Sequence, residues 1–316
     1  MRVRRPGGGR DGVVKPAPFD YVAPDGVEEA LAALALPGAR PLAGGQSLIP
    51  LLSARRERPR LLVDLGRVRG LADVRVGGDG GLRLGAMTRQ ATLERDERVA
   101  AGWPLLREAV RHVGHVATRT RGTVGGSVAH ADPAAQLPAA LLALGARLRV
   151  RGPDGERVVE LGARAGGAGE RVAEGGERAA GAGGPVAAGE LLVAIELPPL
   201  PHGARCAFAE HRETAAGPVV AGAAAVVADG RAALVVIGAA DGPLRVAAAE
   251  QALLDGAPHE TVARLAAAPA RDLYVRAVLA DTVRRTLGRL APDPAARPGP
   301  AARPDPAARP DHGGSA

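Results

Sequence analysis

Cysteine and aromatic side chains are scarce in this 316-residue chain, which holds one Cys, one Trp, two Tyr and two Phe. The single thiol, Cys206, cannot close a disulfide within the chain. Nor can it supply the four thiolates of an iron–sulfur cluster or of a structural zinc site. This is the cysteine usage expected in a reducing compartment. Lysine occurs only at Lys15, so the net charge of +7 rests on arginines scattered along the chain, many beside Asp or Glu. Without clustered basic residues, and without aromatics interleaved to stack bases, nucleic-acid binding is set aside. No apolar run reaches the ~18 residues that span a bilayer. The opening MRVRRPGGGRDG leads into polar sequence where a signal peptide would be apolar. The expectation is a cytoplasmic protein.

What the chain has in excess is glycine, 44 residues, and proline, 27. Residues 1–15 carry no apolar periodicity and read as a flexible leader. From Pro292 the sequence repeats PAARPG and PAARPD, a spacing of prolines that no helix tolerates, so 292–316 reads as a disordered tail. Residues 162–189 carry glycine and charge with almost no large apolar residue and read as a surface loop. The remainder alternates strand and helix signals and falls into three stretches, 16–70, 71–200 and 201–291, of α+β class. Helices are expected at 27–36, 104–113, 138–144, 247–254 and 273–290. Strands are expected at 60–65, 81–86 and 147–151, with a hairpin formed by 219–228 and 232–239 turning through Asp229, Gly230 and Arg231.

Two segments place paired glycines between an apolar strand and the start of an apolar helix: Ala43-Gly44-Gly45-Gln46-Ser47-Leu48, and Thr123-Val124-Gly125-Gly126-Ser127. Paired glycines permit positive φ and leave no Cβ in the way, so backbone N–H groups can converge on an anion. Ser47, Thr123 and Ser127 add hydroxyls. Two such loops could hold the two phosphates of a diphosphate without any lysine. Each pair alone also fits a plain tight turn. Neither segment fits the dinucleotide fingerprint or the P-loop, lacking the third glycine and the Gly-Lys-Ser/Thr.

AGGQSLIPLL at 43–52 and TRTRGTVGGSVAHADPAAQLP at 118–138 resemble the two FAD-binding signatures of the flavoprotein medium subunit of molybdenum hydroxylases, the family of carbon monoxide dehydrogenase and xanthine dehydrogenase. PFDYVAPDGVEEALAAL at 18–34 is similar to the family's first strand and helix, and 274–276 with 284–287 to its last helix. The resemblance covers about 16–290. It implies an FAD-binding fold of two subdomains, of the kind shared with vanillyl-alcohol oxidase. A small α+β domain with a three-stranded antiparallel sheet would follow. It implies non-covalent FAD, its diphosphate clasped by Ala43, Gly44, Gly45, Gln46, Ser47 and Leu48 and by Thr123, Val124, Gly125, Gly126 and Ser127, with Asp132 toward the flavin end. It further implies [2Fe-2S] clusters on a small partner subunit and a molybdenum cofactor on a large one, assembled as a dimer of heterotrimers. Electrons would pass through FAD to NAD⁺ or a quinone. The cysteine count agrees, since a chain with one thiol must dock beside another that carries the clusters.

Two positions depart from the family pattern. Gln136 stands where an acid is usual, and Arg212-Glu213-Thr214-Ala215-Ala216-Gly217-Pro218 replaces an Arg-x-Gly-Asp-Phe motif. No general acid or base is assigned. Gln46 cannot form the covalent flavin bond that a histidine in such a loop makes in vanillyl-alcohol oxidase relatives. A stand-alone flavin oxidoreductase and a non-catalytic assembly subunit are the alternatives. His130 reads as a solvated turn residue in reach of the flavin, His112 and His115 as a pair lacking a third metal ligand, Cys206 as an inert packed thiol, and Trp103 and Tyr274 as packing residues.

Overall fold

The computed structural model describes residues 15–162, 185–215, 217–228 and 230–290. The expected leader apart from Lys15, most of the 162–189 loop, the turn residue Asp229 and the tail from 292 lie outside the described residues.

The N-terminal stretch runs β1 (Asp20–Val22), α1 (Val27–Leu34), β2 (Ala39–Leu42), α2 (Leu48–Ser53) and β3 (Leu61–Asp64). Its three strands form a parallel sheet in the order β1-β3-β2. In α1 the carboxylates Glu28 and Glu29 sit in the first turn, where they complement the helix dipole. Ala30, Ala33 and Leu34, spaced as one helical face, are buried against Leu61 and Val63.

The middle stretch opens with β4 (Val74–Val76) and β5 (Leu82–Gly85). It continues through six helices: α3 (Gln90–Arg95), α4 (Glu97–Gly102), α5 (Pro104–Arg111), α6 (Val116–Arg121), α7 (Val124–His130) and α8 (Gln136–Ala143). Strands β6 (Arg147–Gly152), β7 (Gly155–Glu160) and β8 (Leu191–Leu197) complete an antiparallel sheet ordered β4-β5-β8-β6-β7. Within β8 the register against β6 passes from Arg149↔Ala194 to Val150↔Leu192, leaving Val193 as an extra residue. Such a bulge inverts the alternation of faces. Leu197, Ile195 and Leu192 therefore all face the core beneath α5 and α8, while Leu191 and Val193 join the N-terminal core. One strand thus binds the first two stretches together.

The C-terminal stretch holds β9 (Arg205–Arg212), β10 (Val219–Ala228), β11 (Arg231–Ile237), β12 (Leu244–Arg245), α9 (Ala247–Leu254), α10 (His259–Ala267) and α11 (Leu273–Arg289). Its sheet has four antiparallel strands, ordered β12-β11-β10-β9, where three are expected. Two residues are too short for any pattern to announce β12. It is fixed by Glu250 on α9, which accepts from Leu234 N–H at 2.9 Å and from Arg245 at 2.8 Å. Helix α10 is likewise absent from the expected elements. Ala221, Ala223 and Ala225 face α10 and α11, whereas Ala224, Val235 and Ile237 join the middle core with α5 and α8. A sheet covered on both faces reads as an unbroken apolar run, which is the sequence of β10. Among the described residues, no helix is long and apolar enough to cross a membrane.

Candidate functional site

Both glycine segments open onto one cavity of about 540 Å³, walled by all three stretches of the chain. Ala43 through Leu48, Thr123, Gly125 through Ser127 and Asp132 line it. Val124 does not: its side chain is fully buried in the middle core.

The segments meet through backbone. A Cβ on Gly44 would stand 2.8 Å from the Cα of Gly122 and would overlap the carbonyl oxygen of Arg121. Only a residue without a side chain allows that approach. Gly45 has φ of 72°, which turns the chain from β2 into α2. Among the described residues, the N–H groups of Gly44, Gly45, Gln46 and Ser47 have no acceptor. They are bare donors on the cavity wall.

The second pair differs from the expected turn. Gly125 and Gly126 are the second and third residues of helix α7, and neither has positive φ. Their amides are engaged: Val124 N–H donates to Thr88 O at 3.0 Å, Gly125 N–H to Ala86 O at 2.9 Å, and Gly126 N–H to Thr123 Oγ1 at 3.0 Å. What these glycines provide is closeness. A Cβ on Gly125 would lie 2.6 Å from Cβ of Ala86, and one on Gly126 would lie 3.3 Å from Cβ of Ala43. Ser127, the next residue, lines the cavity.

At the C-terminus of α7, Ala131 adopts φ 54° and ψ 39°, a left-handed conformation uncommon outside glycine. It lies between His130 and Asp132, both of which line the cavity. Asp132 accepts from Ala134 N–H at 2.8 Å.

The wall also includes Leu191, Leu192, Pro218 and Val219, with Gln136 and Arg212. Here Glu210, whose side chain is 7 % exposed, is held from three sides. Arg212 Nε donates to it at 2.7 Å, Gln136 Nε2 at 2.9 Å, and His112 Nδ1 lies at 3.3 Å. Arg212 also donates to the carbonyls of His112 and Gly217, at 3.0 and 2.8 Å. Burial by itself raises the Glu210 pKa, but the hydrogen bonds from His112, Arg212 and Gln136 outweigh it and hold the carboxyl below its ordinary value. The network ties β9 to the end of α5 and the start of α8. His112 is thus engaged with Glu210 and in tilted ring contact with Phe208, centroids 5.1 Å apart.

Sequence reasoning missed part of this wall. Met87 and Gln90 reach it from the segment after β5, and Thr118 from α6. Gln90 is 5 % exposed and its Oε1 has no partner among the described residues. Leu191 and Leu192 gave no functional signal, because a strand of core residues looks the same whether or not its end borders a cavity.

Residues 17–200 match the family described as the FAD binding domain in molybdopterin dehydrogenase. The alpha subunit of the 6-hydroxypseudooxynicotine dehydrogenase complex of Paenarthrobacter nicotinovorans is 39 % identical over 250 residues, 77 % of this chain and 80 % of that one. The carbon monoxide dehydrogenase medium chain of Afipia carboxidovorans is 36 % identical over 67 % of this chain and 69 % of its own. Among solved structures, carbon monoxide dehydrogenase of Hydrogenophaga pseudoflava superposes with TM-score 0.77 at 30 % identity, covering 87 % of this chain and 98 % of that one. Quinoline 2-oxidoreductase of Pseudomonas putida 86 gives 0.76 at 30 % identity, with the same coverage. The chain belongs to the family of FAD-binding oxidoreductase subunits of the molybdenum hydroxylases.

Proposed function

We propose that this chain is the FAD-carrying electron-transfer subunit of a cytoplasmic molybdenum hydroxylase. In this reading it sits between a partner that carries [2Fe-2S] clusters and an acceptor, NAD⁺ or a quinone, with the molybdenum cofactor on a third chain. The observation that carries the reading is the backbone contact of Gly44 with Gly122, which brings two segments far apart in sequence to one cavity.

The residues present suit FAD. Four bare N–H donors at Gly44 to Ser47 offer a diphosphate main-chain dipoles where no lysine is at hand. Thr123 and Ser127 add hydroxyls from the facing segment; the engaged amides of α7 leave the first segment as the main anion cradle. The apolar wall of Leu191, Leu192, Pro218 and Val219 suits a flat ring system, and the cavity volume is within the range of cofactor sites. When bound, FAD supplies the two-electron redox chemistry; the protein orients it and shields it. Arg212 contributes as a strut, since its donors are taken by Glu210, His112 and Gly217.

The test is to express the chain with its genomic neighbours and record composition and spectrum. Yellow protein that releases FAD into the supernatant on acid precipitation, with iron and molybdenum on companion chains, supports the reading. Flavin that stays in the pellet overturns non-covalent binding. A yellow chain that remains alone and oxidises a substrate favours a stand-alone oxidoreductase, and a chain that stays colourless when given FAD favours an assembly role.

A further inference from the structure

On the outer side of the α5–α6 junction lies a second, open cleft of about 350 Å³, walled by Glu94, Arg95, Glu97, Arg107, Arg111 and Val116. Its charge is unbalanced. Glu94 is taken by Arg119, which donates to it at 2.9 Å and lies 8 % exposed behind the wall. Glu97 stands 83 % exposed and only 3.7 Å from Arg107. Arg95 and Arg111 are exposed and, among the described residues, have no carboxylate within 4 Å, although after Arg119 both add to the positive field that lowers the Glu94 pKa, and Nε of Arg107 is shielded from solvent without a hydrogen-bond partner. Val116, 58 % exposed, adds an apolar contact in the midst of the arginines. Arginine around an exposed apolar side chain is the composition of a protein interface.

The cleft and the flavin cavity share a wall. Arg111 and Val116 face the cleft, while Val113, Gly114 and Thr118 of the same junction line the cavity. We propose that this cleft is the docking surface for an acidic segment of the partner chain that delivers electrons to the flavin. The inference rests on the functional reading above. Carboxylates of the partner would engage Arg95 and Arg111 at the rim and Arg107 at the floor, bringing the partner's redox group to within one helix layer of the cavity. A rim of exposed charges sets the rate and salt sensitivity of association, and a desolvated arginine sets its lifetime.

The experiment uses the whole complex, captured through a tag on this chain, with iron and molybdenum retained per FAD as the readout. The double reversal R95E/R111E changes two exposed positions. R231E/R264E, an equal charge change at exposed positions of the C-terminal stretch, is the control. The expected result is loss of about tenfold or more of the retained iron at ~0.15 M salt for R95E/R111E alone, with FAD content unchanged. Retained iron equal to wild type overturns the docking surface. So does a complex that stays whole but loses only turnover with the soluble acceptor, which would make the cleft a small-anion site. If R95E/R111E sheds FAD as well, the neutral pair R95A/R111A decides: iron retention that falls more steeply with salt than in wild type supports the surface, and an unchanged salt response overturns it. A wild-type chain that retains no metal-bearing partner refutes the functional reading itself, a different outcome from an intact wild type with an indifferent variant.

Discussion

Gly44 packs its Cα against the peptide that joins Arg121 to Gly122, with no space between them for a methyl group. The obstacle is backbone, held by the hydrogen bond of Gln90 N–H to Gly122 O at 3.0 Å and by the helix that follows. Neither side can yield as a flexible side chain would. In Gly44→Ala the two segments are forced apart, and overpacking of this kind costs about 1–3 kcal/mol. The expected result is a protein that folds with a lower melting temperature and loses at least about tenfold in FAD affinity, equal to some 1.4 kcal/mol. Flavin fluorescence titration of the apoprotein measures the second effect, and thermal unfolding the first.

Glu210 makes the stability of the protein depend on acid. Its folded pKa is lowered, so its contribution is present above the ordinary carboxyl value of 4.5 and is lost as pH falls through the lower folded value. Glu210→Gln removes that dependence and leaves His112 and Arg212 without their charge partner. Breaking a buried ion pair from one side costs up to about 3–5 kcal/mol, less here because His112 is part exposed. Denaturant midpoints measured between pH 3 and pH 7 are expected to fall steeply toward acid in the wild type and to be lower and flatter in the variant. Parallel curves would contradict the assignment.

Cys206 is expected to be inert. Burial first, and the Glu108 carboxylate second, push its thiol up to about 11. At neutral pH almost no thiolate forms, and thiolate is the reactive species. A chromogenic disulfide reagent at pH 7.5 should find no thiol in the folded protein within minutes and one equivalent after denaturation.

Ala131 carries a left-handed backbone, φ 54°, at the end of α7. Glycine adopts that conformation without a Cβ penalty, which is worth about 1 kcal/mol in the folded state against some loss to the freer unfolded chain. Ala131→Gly is expected to be neutral to stabilising by up to about 1 kcal/mol in chemical unfolding, with FAD content preserved. A marked destabilisation would show that the methyl group packs.

Much of the site was legible because its chemistry is local. The run from β2 through the glycine turn of Ala43 to Ser47 into α2 is continuous in sequence, and the turn, with positive φ at Gly45, is as expected. The second pair shows the limit of that reading. Gly125-Gly126 looks like a loop by composition, yet Thr123 caps a helix through them, and their amides go to Ala86 and to Thr123 itself. Whether a glycine serves as a turn or as a place of close approach depends on what lies opposite, and Ala86 is 39 positions away.

The wall of Leu191, Leu192, Gln136, Arg212, Pro218 and Val219 was legible only in part: Gln136 and the segment from Arg212 to Pro218 drew notice through the resemblance, and the two leucines did not. Leu191 and Leu192 face different cores by ordinary alternation, but Leu192 shares the face of Ile195 and Leu197 because Val193 is bulged against β6, and a bulge is a property of two strands in register. Glu210 gave no sign of its role, since its partners His112 and Gln136 arrive from helices of another stretch.

By itself, then, the order of residues determined helices α1, α5, α8, α9 and α11, the hairpin, the two glycine segments and the family, because periodicity, capping and short motifs act over a few neighbouring positions. The tertiary structure alone decided which amides remain bare, which small residues are wedged against backbone, and which buried charge meets which cation. Those outcomes are set by groups that approach one another only after the sheets and helices have packed.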